Sequence, residues 1–162
     1  MVRSSSGLGR VEKANHERGT SKKEADLVTT KAEKMLRDWN QSWNAHEVES
    51  ILSYFTDDIV FEDLGGARVI RGKAQMRTWV NETLSAFPDF RTDLKSLFVS
   101  GRWAGSEWVA SGTLKGRLHH LEPTGRSYSV RGASIMELRD GKIKRNTDFY
   151  DSATMIRQLF LT

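Results

Sequence analysis

Helical periodicity fills the first half of this chain and strand-like segments fill most of the second, an order that points to an α+β fold with helices laid on one face of a curved sheet. Val28, Ala32, Met35, Leu36, Trp39 and Trp43 recur at spacings of three and four, predicting an amphipathic helix to about residue 44. Ser21 and Glu24 form a capping box at its expected start. Val48, Ile51, Leu52 and Phe55 predict a short second helix, and Ile59 to Asp63 a strand that stops at Gly65-Gly66. A third helix after Arg71-Gly72 carries Met76, Trp79, Val80, Thr83, Leu84 and Phe87 on one side and ends at Pro88. Phe90 to Val99, Glu107 to Lys115, Ser127 to Leu138 and Lys142 to Tyr150 read as a meander of antiparallel strands. Asp151 to Thr154 can then cap a last helix whose Met155, Ile156, Leu159 and Phe160 pack inward.

Length and charge narrow the organisation further. A chain of 162 residues with 38% hydrophobic content suits one core with room for one pocket. Residues 1–23 hold six basic side chains against Glu12 and Glu17, which accounts for the whole formal net charge of +4 and leaves 19 of each sign elsewhere. The expected division is a disordered basic tail, residues 1–23, and a folded domain, residues 24–162. A nucleic-acid role would rest on that tail alone, and none is expected. Without cysteine there is no thiolate nucleophile, disulfide or cysteine-ligated metal. No apolar run approaches the roughly 20 residues of a membrane span, so a cytoplasmic protein without membrane contact is expected.

Asp148 is the residue most in need of a reason. An Asp in mid-strand is a poor strand former, and covering it requires hydrogen bonds, water or a ligand. Asn146, Asp148 and Tyr150 share one face of the last strand; Ile143, Thr147 and Phe149 take the other. Hydrophobicity alone would turn Phe149 inward and leave Asp148 wet. On the preceding strands Trp108, Ala110, Gly112 and Leu114 share a face, as do Val130, Gly132, Ser134, Met136 and Leu138. His119-His120 with Glu122 lacks the spacing that closes a zinc site, and no metal is expected. No phosphate-binding glycine loop follows a strand and no Gly-x-Ser-x-Gly elbow is present, which argues against nucleotide use and covalent acyl transfer.

Trp43-Asn44-Ala45-His46, Tyr54 to Phe61, Arg71-Gly72, Phe87-Pro88-Asp89, Pro123 to Arg126, Asp140 to Ile143, Tyr150-Asp151 and Gln158-Leu159 together resemble the SnoaL-like polyketide cyclases of the nuclear-transport-factor-two-like superfamily, over about residues 26–161. The resemblance implies a cone-shaped α+β barrel, a curved mixed or antiparallel sheet with three helices enclosing an apolar pocket, usually in a homodimer. It also implies that Asp148 faces inward as the acid/base, since the cyclases carry an aspartate a few residues after the Asp-Gly-Lys-Ile turn. Where they present a histidine two places earlier this chain has Asn146, and a glutamine and a histidine of their pocket become Gly132 and Ser134.

The expected function is cofactor-independent proton transfer next to a carbonyl, of the cyclase or isomerase type, on a small apolar or aromatic ligand. Asp148 is the candidate catalytic base, and Tyr54, Asp63, Trp79, Trp108, Ser134, Asn146 and Tyr150 are candidate ligand-binding residues. The alternative is a ligand-binding or regulatory module of the same fold without turnover.

Overall fold

The structure, a computed structural model, describes residues 8–119 and 121–161, with side chains described from Lys22 onward. The chain runs α1 (Leu8–Ala45), α2 (Val48–Ser53), β1 (Phe55–Asp63), β2 (Arg68–Arg71), α3 (Gly72–Ala86), β3 (Arg91–Ser100), β4 (Trp103–Thr113), β5 (Ser127–Arg139), β6 (Lys142–Tyr150) and α4 (Ser152–Phe160). The strands form one curved six-stranded sheet in the order β2-β1-β6-β5-β4-β3. Strands β3 to β6 make the expected antiparallel meander, while β1 lies parallel to β6 and antiparallel to β2.

Three expectations need correcting. The first helix begins at Leu8 and not at Ser21, because residues 8–20 contain no proline and only two glycines, Gly9 in the first turn and Gly19, so nothing stops the helix before the capping box. Residues 1–7 of the expected tail lie outside the described residues. Strand β2 was not anticipated; its four residues are held by pairing with β1, not by any alternation of their own. Finally, the sheet is open and not a barrel, with β2 and β3 at its edges.

The β3 edge is covered by side chains from α1. Asn44 accepts from the backbone N–H of Thr92 at 2.8 Å and donates to its carbonyl at 2.9 Å, as a neighbouring strand would. Asn40 donates to the same carbonyl at 3.1 Å, and the His46 ring meets the Phe90 carbonyl at 2.7 Å. Part of the Trp-Asn-Ala-His motif is therefore an edge cap that blocks further strand pairing. The other motifs fasten similarly: Asp89 accepts from the Thr113 amide and hydroxyl, Arg126 donates to the Leu161 carbonyl, and Gln158 accepts from the Ser129 amide.

Apolar side chains fill the space between sheet and helices. Leu36, Trp43, Ile51, Leu52, Phe55, Phe61, Met76 and Val80 form one buried cluster, and Phe87, Leu114, Tyr128, Val130 and Leu159 belong to a second. α4 starts at Asp151, whose carboxylate accepts from the Thr154 amide at 2.9 Å as a helix cap. It closes the far end of the sheet with Leu159 fully buried, while Ile156 stays partly exposed. Among the described residues four helices thus surround the interior, the four read from the sequence pattern and one more than the resemblance implied.

Candidate active site

The sheet's register builds the site. Arg68, Asp63, Asp148, Ser134, Ser106 and Leu97 are successive partners across β2, β1, β6, β5, β4 and β3, and all six line one cavity. Because neighbouring strands lie about 4.8 Å apart, this rung is a continuous polar line across the cavity floor, ending on a leucine. The cavity has a volume of about 380 Å³, within the range of small-molecule sites, and its remaining walls are largely aromatic. Trp79 on α3 packs at 4.9 Å from Phe61 and 5.8 Å from Trp43, and Trp43 lies 5.6 Å from Phe90. Trp39, Phe87 and Tyr128 extend this wall.

Asp148 faces the cavity, and a bulge explains how the strand achieves this. Between Glu137 and Leu138 of β5 the pairing jumps from Arg145 to Ile143, leaving Lys144 as an extra residue on β6. Ile143 is therefore buried on the same face as Asn146, contrary to the strict alternation expected from sequence, while Thr147 and Phe149 point to the outer face. Asn146 is fully buried and Phe149 is 43% exposed.

Asp148 Oδ1 accepts two hydrogen bonds of 2.6 Å, one from the Ser134 hydroxyl and one from the Asn146 amide. Among the described residues no donor reaches Oδ2. Burial pushes the Asp148 carboxyl up to about 6; the Ser134 and Asn146 hydrogen bonds hold it back, and the neighbouring Asp63 charge adds to the rise. Ser134 is itself placed by Trp108, whose indole N–H donates to its Oγ at 2.8 Å.

Asp63 is the second carboxylate of the site and is itself buried. Its Oδ1 accepts from the Tyr150 hydroxyl and from the Gly66 amide, both at 2.9 Å. The Gly65-Gly66 turn is tight against this pair: a Cβ on Gly65 would sit 2.2 Å from the Tyr150 ring, and one on Gly66 2.5 Å from Asp63 Oδ2. Burial, then the Asp63 charge, pushes the Tyr150 hydroxyl well above the usual tyrosine range, so it stays protonated. At the cavity rim Arg68 donates to His119 Nε2 at 2.6 Å and reaches Glu82 at 3.5 Å. Leu118, His119 and Leu121 bring the β4–β5 loop over the opening.

Of the residues singled out from sequence, Asp148, Asp63, Trp79, Trp108, Ser134 and Tyr150 line the cavity. Asn146 stands behind Asp148 as its donor and does not reach the cavity surface. Tyr54 is not part of the site: it ends α2, and its backbone carbonyl accepts from Ile143 at 2.8 Å. Sequence reasoning missed Phe61, Glu82 and His119 as wall or rim residues; Phe61 could have been found from its alternation with Asp63 on β1. Among the described residues no group of three or more metal-ligating side chains converges, and no helix is long and apolar enough to cross a membrane. His120 lies outside the described residues.

Comparison with known proteins accords with this architecture. The structure superposes on AclR of Streptomyces galilaeus, a suggested hydroxylase, with a TM-score of 0.71 at 19% identity, covering 83% of this chain and 87% of that one. It superposes on a protein of Catenulispora acidiphila with a ketosteroid isomerase-like fold, solved with trimethylamine, with a TM-score of 0.69 at 20% identity, covering 79% of this chain and 93% of the other. At such identities the likeness establishes the fold alone. In sequence, the chain is 33% identical over 86 residues to the nogalonic acid methyl ester cyclase of Streptomyces nogalater, a match covering 53% of this chain and 63% of that enzyme. A sequence model of the SnoaL-like polyketide cyclases matches residues 33–159, most of the chain and every strand of the sheet, and on that match the protein belongs to the SnoaL-like polyketide cyclase family.

Proposed function

We propose that the protein is a cofactor-independent enzyme that transfers a proton next to a carbonyl, closing or isomerising a small, largely apolar, carbonyl-bearing compound held in the cavity. The observation that carries this reading is the asymmetry of Asp148: Oδ1 is saturated by Ser134 and Asn146, whereas Oδ2 has no donor among the described residues. With a pKa of about 6 the group is ionised near neutral pH yet basic enough to accept a proton. In an intramolecular aldol closure Oδ2 takes the proton from the carbon beside one carbonyl. The resulting enolate carbon bonds to a second carbonyl carbon, and the proton returns to the new alkoxide, so no atom is lost and no cofactor is consumed. Aromatic walls of Trp79, Phe61 and Trp108 suit a flat conjugated substrate. The relative's name, a cyclase of a polyketide methyl ester, suggests the same class.

One observation favours a second reading, a binding module without turnover. The hydroxyls of Ser134 and Tyr150 already donate to carboxylates, and Asn146 does not line the cavity, so none of the three is free for a developing enolate oxygen without rearrangement. Deuterium exchange next to the carbonyl of aromatic β-keto esters separates the two. Catalysis predicts exchange by wild type that is lost in a folded Asp148→Asn variant. Exchange undiminished in that variant removes Asp148 as the base, and ligand binding without exchange by either protein establishes the binding module.

A further inference from the structure

We infer that Trp108 is a positioning residue for the base: its indole N–H fixes the direction of the Ser134 hydroxyl and thereby selects which oxygen of Asp148 reacts. The inference rests on the proposed role of Asp148, but its central test does not require turnover.

The argument follows from donor and acceptor inventories. An indole N–H can only donate, and a serine hydroxyl has one proton and two lone pairs. Because Trp108 donates to Ser134 Oγ at 2.8 Å, one lone pair is occupied, and the hydroxyl proton is directed to Asp148 Oδ1 at 2.6 Å. Asn146 meets the same oxygen at 2.6 Å, so both donors converge on Oδ1 and, among the described residues, Oδ2 is left without a donor on a side chain that lines the cavity. A serine without the indole could rotate to another acceptor or bond either carboxylate oxygen, and the asymmetry would blur.

The chain makes specific room for this relay. Trp108 and Gly132 are direct cross-strand partners, and a Cβ on Gly132 would come within 2.2 Å of the indole ring. Glycine there lets the ring lie flat along β5, reaching Ser134 two residues on. Trp108 also sits 6.2 Å from the Tyr150 ring, which bounds it on the other side. Where the cyclases that this chain resembles carry a glutamine and a histidine, it holds Gly132 and Ser134, which together with Trp108 supply a neutral substitute for a titrating partner. The relay adds no second ionisation; the charged or titratable groups facing the cavity are Asp63 on β1, Arg68 on β2, Glu82 on α3, Tyr128 on β5, Tyr150 on β6 and His119 on the β4–β5 loop.

The test is a carbon-13 NMR titration of the Asp148 carboxyl in the free protein, its signal assigned by its loss in Asp148→Asn. Ser134→Ala should raise the midpoint, because a donor to the ionised form is removed. Trp108→Phe should raise it by less, because a hydroxyl no longer polarised and held by the indole is a weaker donor. The double variant should titrate like Ser134→Ala alone, since Trp108 acts only through Ser134. An unchanged midpoint in Trp108→Phe, or a further shift when Ser134 is already gone, would overturn the inference. Should the Phe variant fail to fold, the wild-type indole N–H resonance of Trp108 decides alone: it should move with the Asp148 midpoint, and a resonance constant through that pH range refutes the relay. If wild type catalyses no exchange on any probe ketone, the functional reading fails while the titration still judges the relay. If exchange is present but the midpoints are uncoupled, the relay fails alone.

Discussion

Replacing Asp148 with asparagine should make the protein more stable at pH 8 and not at pH 4, the reverse of what a structural carboxylate would give. Burial raises the folded-state pKa to about 6 against 3.8 for an unperturbed aspartate, so ionising the group costs the folded protein about 3 kcal/mol. The sign follows from proton uptake: between those two values the folded state holds more protons than the unfolded state, so stability falls as pH rises through the window. The cost is fully present above pH 6 and absent below 3.8. In the Asp148→Asn variant the amide oxygen can take the place of Oδ1 and accept from Ser134 and Asn146, with the NH2 in the place of Oδ2. The weakening of those two bonds on loss of the charge is already contained in the raised pKa; a poorer fit of the amide than of the protonated acid costs about 1–2 kcal/mol at every pH, leaving a net gain of about 1–2 kcal/mol at pH 8. For a chain of this size that is a rise in Tm of about 2–8 °C.

Thermal unfolding of both proteins at pH 8, 6 and 4.5 measures this directly. The informative quantity is the change of the difference with pH, because most other losses caused by the substitution are the same at each pH and cancel. The wild type should recover relative to the variant as pH falls. A variant less stable at every pH by a constant amount would show that the Asp148 charge is fully compensated, and the reasoning that makes it a poised base would be wrong.

Tyr150→Phe should lower stability by about 1–2 kcal/mol in urea unfolding, because Asp63 Oδ1 keeps the Gly66 amide but loses the hydroxyl. Unchanged stability would mean that water replaces the phenol at no cost. Phe98, Ile135 and Phe149 leave an apolar strip on the outer sheet face, which we propose is covered by a second copy of the chain. Sedimentation at micromolar concentration should therefore show a dimer that Ile135→Lys dissociates, and a wild-type monomer rules this out. Deleting residues 1–20 should leave Tm nearly unchanged, since residues 22–28 of α1 are already exposed; a large drop would show that this stretch packs on the domain.

The parts of the fold legible in sequence were those with their own periodicity or punctuation. The helical stripe from Met35 to Trp43, the cap at Asp151 and the Asp140-Gly141 hairpin each carry local instructions, and β6 begins and ends where its pattern says. Strand β2 carries none, because four residues on a sheet edge are defined by their partner. Parity alone could not orient β6: Asp148 and Phe149 compete for the interior, and the bulge at Lys144 breaks the alternation that would have linked them to Ile143. What decides the contest is energetic company. Turned inward, Asp148 meets Ser134 and Asn146, whereas Phe149 on the outer face loses only part of its burial. Asp63 shows the same limit from the other side. Its place at a strand end shortly before two glycines suits a turn residue equally well, and its pairing with Tyr150 joins positions 87 residues apart. Only the parallel register of β1 on β6 sets Asp63 beside Asp148, so the two-carboxylate character of the site is a property of sheet order that no local motif contains.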